Sequence, residues 1–164
     1  MNEYKINRER STIANYTFIK EILYETESHA IQVEIRLEAL KKKSSGYFDF
    51  IHIPDYDFKR NGNELIIEQE YIRRSDNFSH YGCVRQIYVD LISHDWTFSD
   101  NSPTNFIMSK SNKIYRVDLE CFCYEPDILK RKKFWLPFNG YWMKNFDFTK
   151  HETVEFTENG IKPF

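Results

Sequence analysis

The stretch that most restricts this chain runs from His94 to Glu120, HDWTFSDNSPTNFIMSKSNKIYRVDLE. Asp100 stands in an Asp-Asn-Ser-Pro-Thr-Asn loop, and Asn105 follows five residues later. Two short, largely apolar runs come next, Phe106 to Met108 and Ile114 to Val117, on either side of a polar turn from Ser109 to Lys113. That arrangement predicts a β-hairpin. Asn105 enters its first strand, and Asp118, thirteen residues on, leaves its second. A hairpin sets its open ends side by side, so both oxygen ligands are expected at one edge. Hard oxygen donors of this kind suit Mg²⁺, which keeps several waters and takes substrate phosphates in its other positions. Asp100, on the loop before the hairpin, is placed to orient an attacking hydroxyl or to accept its proton. Turn chemistry alone favours Asn and Asp at such places; the joint spacing is what singles out the three.

Asp100-x-x-x-x-Asn105 followed by Asp118 resembles the catalytic core of protein kinases. The resemblance implies that Asp100 serves as the base, and that Asn105 and Asp118 hold the metal. Pro103 falls where many such kinases carry proline. The chain also departs from the pattern. Phe98-Ser99 stands in place of His-Arg, Ser102 in place of a common lysine, and Leu119-Glu120 in place of Phe-Gly. An Asp-Leu-Glu variant looks more like the atypical relatives, the lipopolysaccharide kinases and aminoglycoside phosphotransferases.

Residues 3–8 and 14–24 read as strands, with 8–15 as their connection. A kinase places its glycine-rich phosphate loop hereabouts, and this segment contains no glycine. By the resemblance, Lys20 is the lysine that pairs with the α/β-phosphates; the plain alternative is an exposed strand lysine. Thr26 to Lys43 reads as a helix capped by Thr26 or Ser28, with Ala30, Val33, Leu37 and Leu40 as its apolar stripe. Glu34 sits at the margin of that stripe, where a carboxylate needs a partner or a route to water. The resemblance makes Lys20 that partner, with Glu38 as the fallback. Asn61-Gly62 signals a hairpin between strands expected over 48–58 and 64–72. In the second strand Gln69 takes the gatekeeper position, and the backbone of Glu70 and Ile72 is implied to hydrogen-bond adenine. Ser79 to Trp96 reads as a helix. Lys130 to Lys133 reads as a solvated basic face, followed by an aromatic-rich tail from Phe134 to Phe148.

A formal charge of −2 excludes nucleic-acid binding driven by bulk electrostatics. Cys83, Cys121 and Cys123 make neither a disulfide framework nor a four-ligand zinc site, and Cys121 and Cys123 are expected as small buried groups. No apolar run approaches the ~20 residues of a membrane helix, and the first residues do not read as a signal peptide. The chain is therefore expected to be cytoplasmic. With 41% hydrophobic residues it can bury a core.

The resulting expectation is an α+β, two-lobed, kinase-like fold, with residues 1–72 as the first lobe and 73–164 as a strongly reduced second one. It would be an ATP- and Mg²⁺-dependent phosphotransferase, resembling a small Ser/Thr protein kinase that acts on a protein hydroxyl, with a possible activating protein partner. The rival readings are a small-molecule kinase and a pseudokinase interaction module. An unrelated α+β binding domain would not bring Asp100, Asn105 and Asp118 together.

Overall fold

The computed structural model describes residues 4–42, 47–75, 80–135, 154–157 and 160–163. It is an α+β body. Strands β1 (Ile6–Ala14), β2 (Thr17–Tyr24), β4 (Tyr56–Asn61) and β5 (Glu64–Glu70) form an antiparallel sheet in the order β1-β2-β5-β4. Helix α1 (Glu27–Lys42) covers one face. Strand β3 (Ile51–His52) leaves this layer and pairs in parallel with β8 (Ile114–Arg116), which is hairpinned to β7 (Phe106–Met108). Helix α2 (His80–Ile92), the pair β6 (Trp96–Phe98) and β9 (Phe122–Tyr124), and α3 (Ile128–Lys133) complete the main body. A separate hairpin joins β10 (Val154–Thr157) to β11 (Gly160–Pro163).

The connection expected over 8–15 is a strand instead. β1 runs through it and turns on Asn15 and Tyr16, both at positive φ (51° and 61°). Two successive positive-φ residues suit the twist of a two-residue hairpin, so no open loop forms here. The other hairpin of this sheet turns with Gly62 at φ 62°, where a side chain would be strained.

Helix α1 begins where expected, with the Thr26 hydroxyl accepting from the His29 amide at 3.2 Å. Its stripe of Ala30, Val33, Leu37 and Leu40 is fully buried with Ile22, Tyr24, Leu65 and Ile67 of the sheet. Each large apolar side chain so buried contributes roughly 1.5–3 kcal/mol. The strand expected over 48–58 is broken at Pro54, which cannot donate to a ladder. The segment before the break is held by Asp90 of α2. Its buried carboxylate accepts the amides of Asp49, Phe50 and Ile51 at 3.0, 2.8 and 2.8 Å.

Helix α2 ends at Ile92, and Trp96 belongs to β6. The Thr97 hydroxyl donates to the Leu91 carbonyl at 3.0 Å and satisfies one open group of the helix end. The basic run on α3 is only half a solvated face: Lys130 and Lys133 are exposed, but Arg131 and Lys132 are buried. The Arg131 guanidinium donates to the Ile92 carbonyl (2.9 and 3.1 Å) and to the Glu125 carbonyl (2.8 Å), so it caps α2. Cys121 and Cys123 are buried, as expected. Trp135 is sealed against Tyr88; the aromatic tail beyond Trp135, like Ser79, lies outside the described residues. No described helix is long and apolar enough to cross a membrane.

Candidate functional site

Two local pairings assemble the site. Within the β7–β8 hairpin, the Val117 amide donates to the Asn105 carbonyl at 2.9 Å, so Asn105 and Asp118 end at the same edge. Pairing of β6 with β9 then brings the Asp100 loop alongside, with the Ser99 amide donating to the Cys121 carbonyl at 3.0 Å. Stacking of Trp96 on Phe122, at 4.9 Å between ring centroids, fixes that register.

Asp100 is half-buried and accepts the Ser102 amide at 3.2 Å, which shapes its own loop. Asn105 is buried, and its side-chain amide donates to the Asp100 carbonyl at 3.4 Å. That leaves the Asn105 Oδ1 as an oxygen donor. Asp118 takes the left-handed conformation, φ 56° and ψ 56°, before a single 3₁₀ turn over Leu119–Cys121. Aspartate tolerates this region better than most residues, and strain of this kind gathers at functional sites. The turn brings the Glu120 side chain back beside Asp118.

Lys20 of β2 reaches this edge across the sheet. Its Nζ donates to Asp118 Oδ1 at 2.8 Å and to Glu120 Oε1, and lies 3.0 Å from Glu9 Oε1. Lys20 and Glu120 are both about 5% exposed. Burial alone would lower the Lys20 pKa, but the Glu120 and Asp118 carboxylates overcome it and hold the ammonium well above its usual range. The Glu120 carboxyl is pushed up to about 6, first by burial and then by the Asp118 charge, with Lys20 opposing. Arg116 adds a second buried cation, set over Phe98 at 4.2 Å and Phe106 at 5.0 Å. Burial lowers its pKa, and the neighbouring Asp118, Asp100 and Glu120 charges counter this.

Glu34 is not part of this cluster. It accepts from Arg60 Nε at 3.2 Å, on the α1–β4 side of the sheet. Lys20 and Glu34 are therefore not an ion pair, and Glu120 and Glu9 take the place expected of Glu34. Both were missed in the sequence. Glu9 meets Lys20 because Ser11 pairs with Lys20 and Glu9 lies two residues along the same face. That contact depends on a register set by the Asn15–Tyr16 turn.

Beside the cluster is an apolar cleft of about 160 Å³. Ile13 and Phe18 of the β1–β2 hairpin line one side, Ile107 and Val117 another, and Gln69 to Ile72 the strand edge, with Asp118 at one end. The Ile72 N–H donates to no backbone carbonyl among the described residues, whereas the Glu70 N–H is taken by the Asp55 carbonyl at 2.8 Å. Roomier surface hollows along β4, about 290 and 340 Å³, contain none of the candidate residues. Among the described residues no group of three or more His, Cys, Asp or Glu is arranged to hold a metal. The Asn105 and Asp118 pair does fit Mg²⁺, which needs only one or two protein oxygens when phosphates and waters supply the rest.

No protein-family model and no curated protein matches the chain. Solved structures do. A high-resolution crystal structure of WbdD aligns with a TM-score of 0.51 at 12% identity, over 73% of this chain and 31% of that one. A co-crystal structure of WbdD and the kinase inhibitor LY294002 aligns with a TM-score of 0.57 at 13% identity, over 86% of this chain and 37% of that one. The chain thus spans about a third of the WbdD chains it matches. At these identities the likeness concerns the fold, and the α+β fold seen here is similar to that of a protein crystallised with a kinase inhibitor.

Proposed function

We propose that this chain is an ATP- and Mg²⁺-dependent phosphotransferase that transfers the γ-phosphate to a hydroxyl, with a protein hydroxyl as the acceptor. The observation that carries this reading is the contact of Lys20 with Asp118, 2.8 Å at the end of an apolar cleft. Adenine would lie in the cleft against the Glu70 carbonyl and the Ile72 N–H. Residues 1–72 would form one lobe and 73–164 a reduced second one.

Lys20 would exchange its contacts with Asp118 and Glu9 for phosphate oxygens, while buried Glu120 keeps its ammonium in place. Asn105 and Asp118 would hold Mg²⁺, which neutralises phosphate charge when bound. Asp100 would orient the acceptor hydroxyl. Catalysis of this type is mostly positioning and charge stabilisation, so rigid placement matters more than any one strong acid or base.

The tight, glycine-free β1–β2 turn and the fully engaged Lys20 favour a second reading, a pseudokinase that keeps the fold as an interaction module. Incubation with [γ-³²P]ATP and Mg²⁺, with a generic protein acceptor or a panel of small hydroxyl compounds, separates the readings. Transfer to protein that is lost in Asp100→Asn supports the first. Transfer only to small molecules moves the acceptor class. ATP binding without transfer or ADP release leaves the interaction module.

A further inference from the structure

Gln69 is a buried polar residue with no side-chain hydrogen bond among the described residues. It is 5% exposed and lines the apolar cleft. Its neighbours on the same sheet face are apolar or already engaged. Phe18 lies directly opposite, and Lys20, opposite Ile67, is held by its carboxylates. The amide therefore opens into the cleft, where its donor and acceptor are available to a ligand.

We infer that Gln69 reads the N6/N7 edge of adenine. This rests on the nucleotide reading above. With N1 of the base against the Ile72 N–H and the 6-amino group against the Glu70 carbonyl, the next polar atom around the purine is N7. The next polar group back along the chain is Gln69. A glutamine amide matches that edge in both directions: its Oε1 accepts from the 6-amino group and its Nε2 donates to N7. Guanine presents acceptors at both positions and would leave Oε1 facing O6. The cleft is thereby selective for adenine through a side chain as well as through backbone.

The test compares binding of Mg-ATP, Mg-7-deaza-ATP and Mg-GTP to the full chain by calorimetry. In 7-deaza-ATP a C–H replaces N7 and nothing else changes. ATP should bind roughly tenfold more tightly than 7-deaza-ATP, and more tightly still than GTP. Gln69→Leu should bind ATP and 7-deaza-ATP equally weakly, and Gln69→Glu should lose the N7 preference alone. The wild-type comparison does not depend on either variant folding. Equal affinity for ATP and 7-deaza-ATP in the wild type overturns the role of Gln69 while leaving the nucleotide site intact; no binding of any nucleotide overturns both.

Discussion

Glu120 and Lys20 form a buried ion pair across the site, both about 5% exposed, in the position that α1 was expected to fill with Glu34. The pair is costly to build, because burial and the Asp118 charge both work against an ionised Glu120. Its use is to hold one ammonium at one point. Glu120→Gln should therefore fold at least as stably as wild type at neutral pH and yet bind Mg-ATP roughly tenfold more weakly, the value of one charge-assisted hydrogen bond. Glu34→Gln should leave both quantities unchanged. The opposite pattern, measured by denaturation and calorimetry, would assign the positioning role to Glu34. Removing the cation is different in kind. Lys20→Met leaves Asp118, Glu120 and Glu9 without their shared cation and should cost about 3 kcal/mol or more.

The same pair sets a pH dependence. Glu120 holds its proton more tightly folded, at about 6, than at its ordinary 4.5. Its stabilising contribution is fully present below pH 4.5 and is lost as pH rises through 6. The difference amounts to about 2 kcal/mol. Lys20 stays charged across this window, since its pKa is raised. Urea denaturation of wild type and Glu120→Gln from pH 4 to 7 should show the variant gaining about 2 kcal/mol on the wild type. Parallel curves would contradict the assignment.

Asp118 combines a left-handed backbone with a charge. Substitution should separate the two. Asp118→Asn tolerates the conformation and Asp118→Gly relieves it, whereas Asp118→Ala should be about 1 kcal/mol less stable than either. All three should lose Mg-dependent nucleotide binding. Equal melting temperatures for the alanine and asparagine variants would show that the backbone here is unstrained.

Asp90 is a structural carboxylate that ties the chain before β4 to α2 through three amides. Asp90→Asn keeps the shape but offers one acceptor atom fewer, and should cost about 2 kcal/mol or more. Hydrogen exchange should show the Asp49 to Ile51 amides losing protection first. Stability within ~0.5 kcal/mol of wild type, the range of ordinary surface changes, would remove Asp90 from this role.

Local signals were legible where a single stretch of chain decides the outcome. The β7–β8 hairpin, the Thr26 cap, the stripe of α1 and the gathering of Asp100, Asn105 and Asp118 depend on residues within about one element of each other. The partners of Lys20 were not legible. Glu9 is set by the register of a turn on Asn15 and Tyr16, two residue types that do not announce consecutive positive φ. Glu120 is set by one left-handed residue that swings the next turn inward. Arg131 and Lys132 looked solvated because charge was visible in the sequence, while the open carbonyl at the end of α2 that Arg131 satisfies was not. The break at Pro54 is local, since proline cannot donate to a ladder, and the strand expected over 48–58 ran across it.

The central claim is that the cleft beside Lys20 and Asp118 binds Mg-ATP. A thermal or urea unfolding series with increasing Mg-ATP, on wild type and Asp118→Asn, tests it most directly. At about 100 times Kd the wild type should gain roughly 2.7 kcal/mol, should require Mg²⁺ for it, and should lose it in Asp118→Asn. No stabilisation of the wild type at millimolar Mg-ATP, or equal stabilisation of both proteins, would contradict the account.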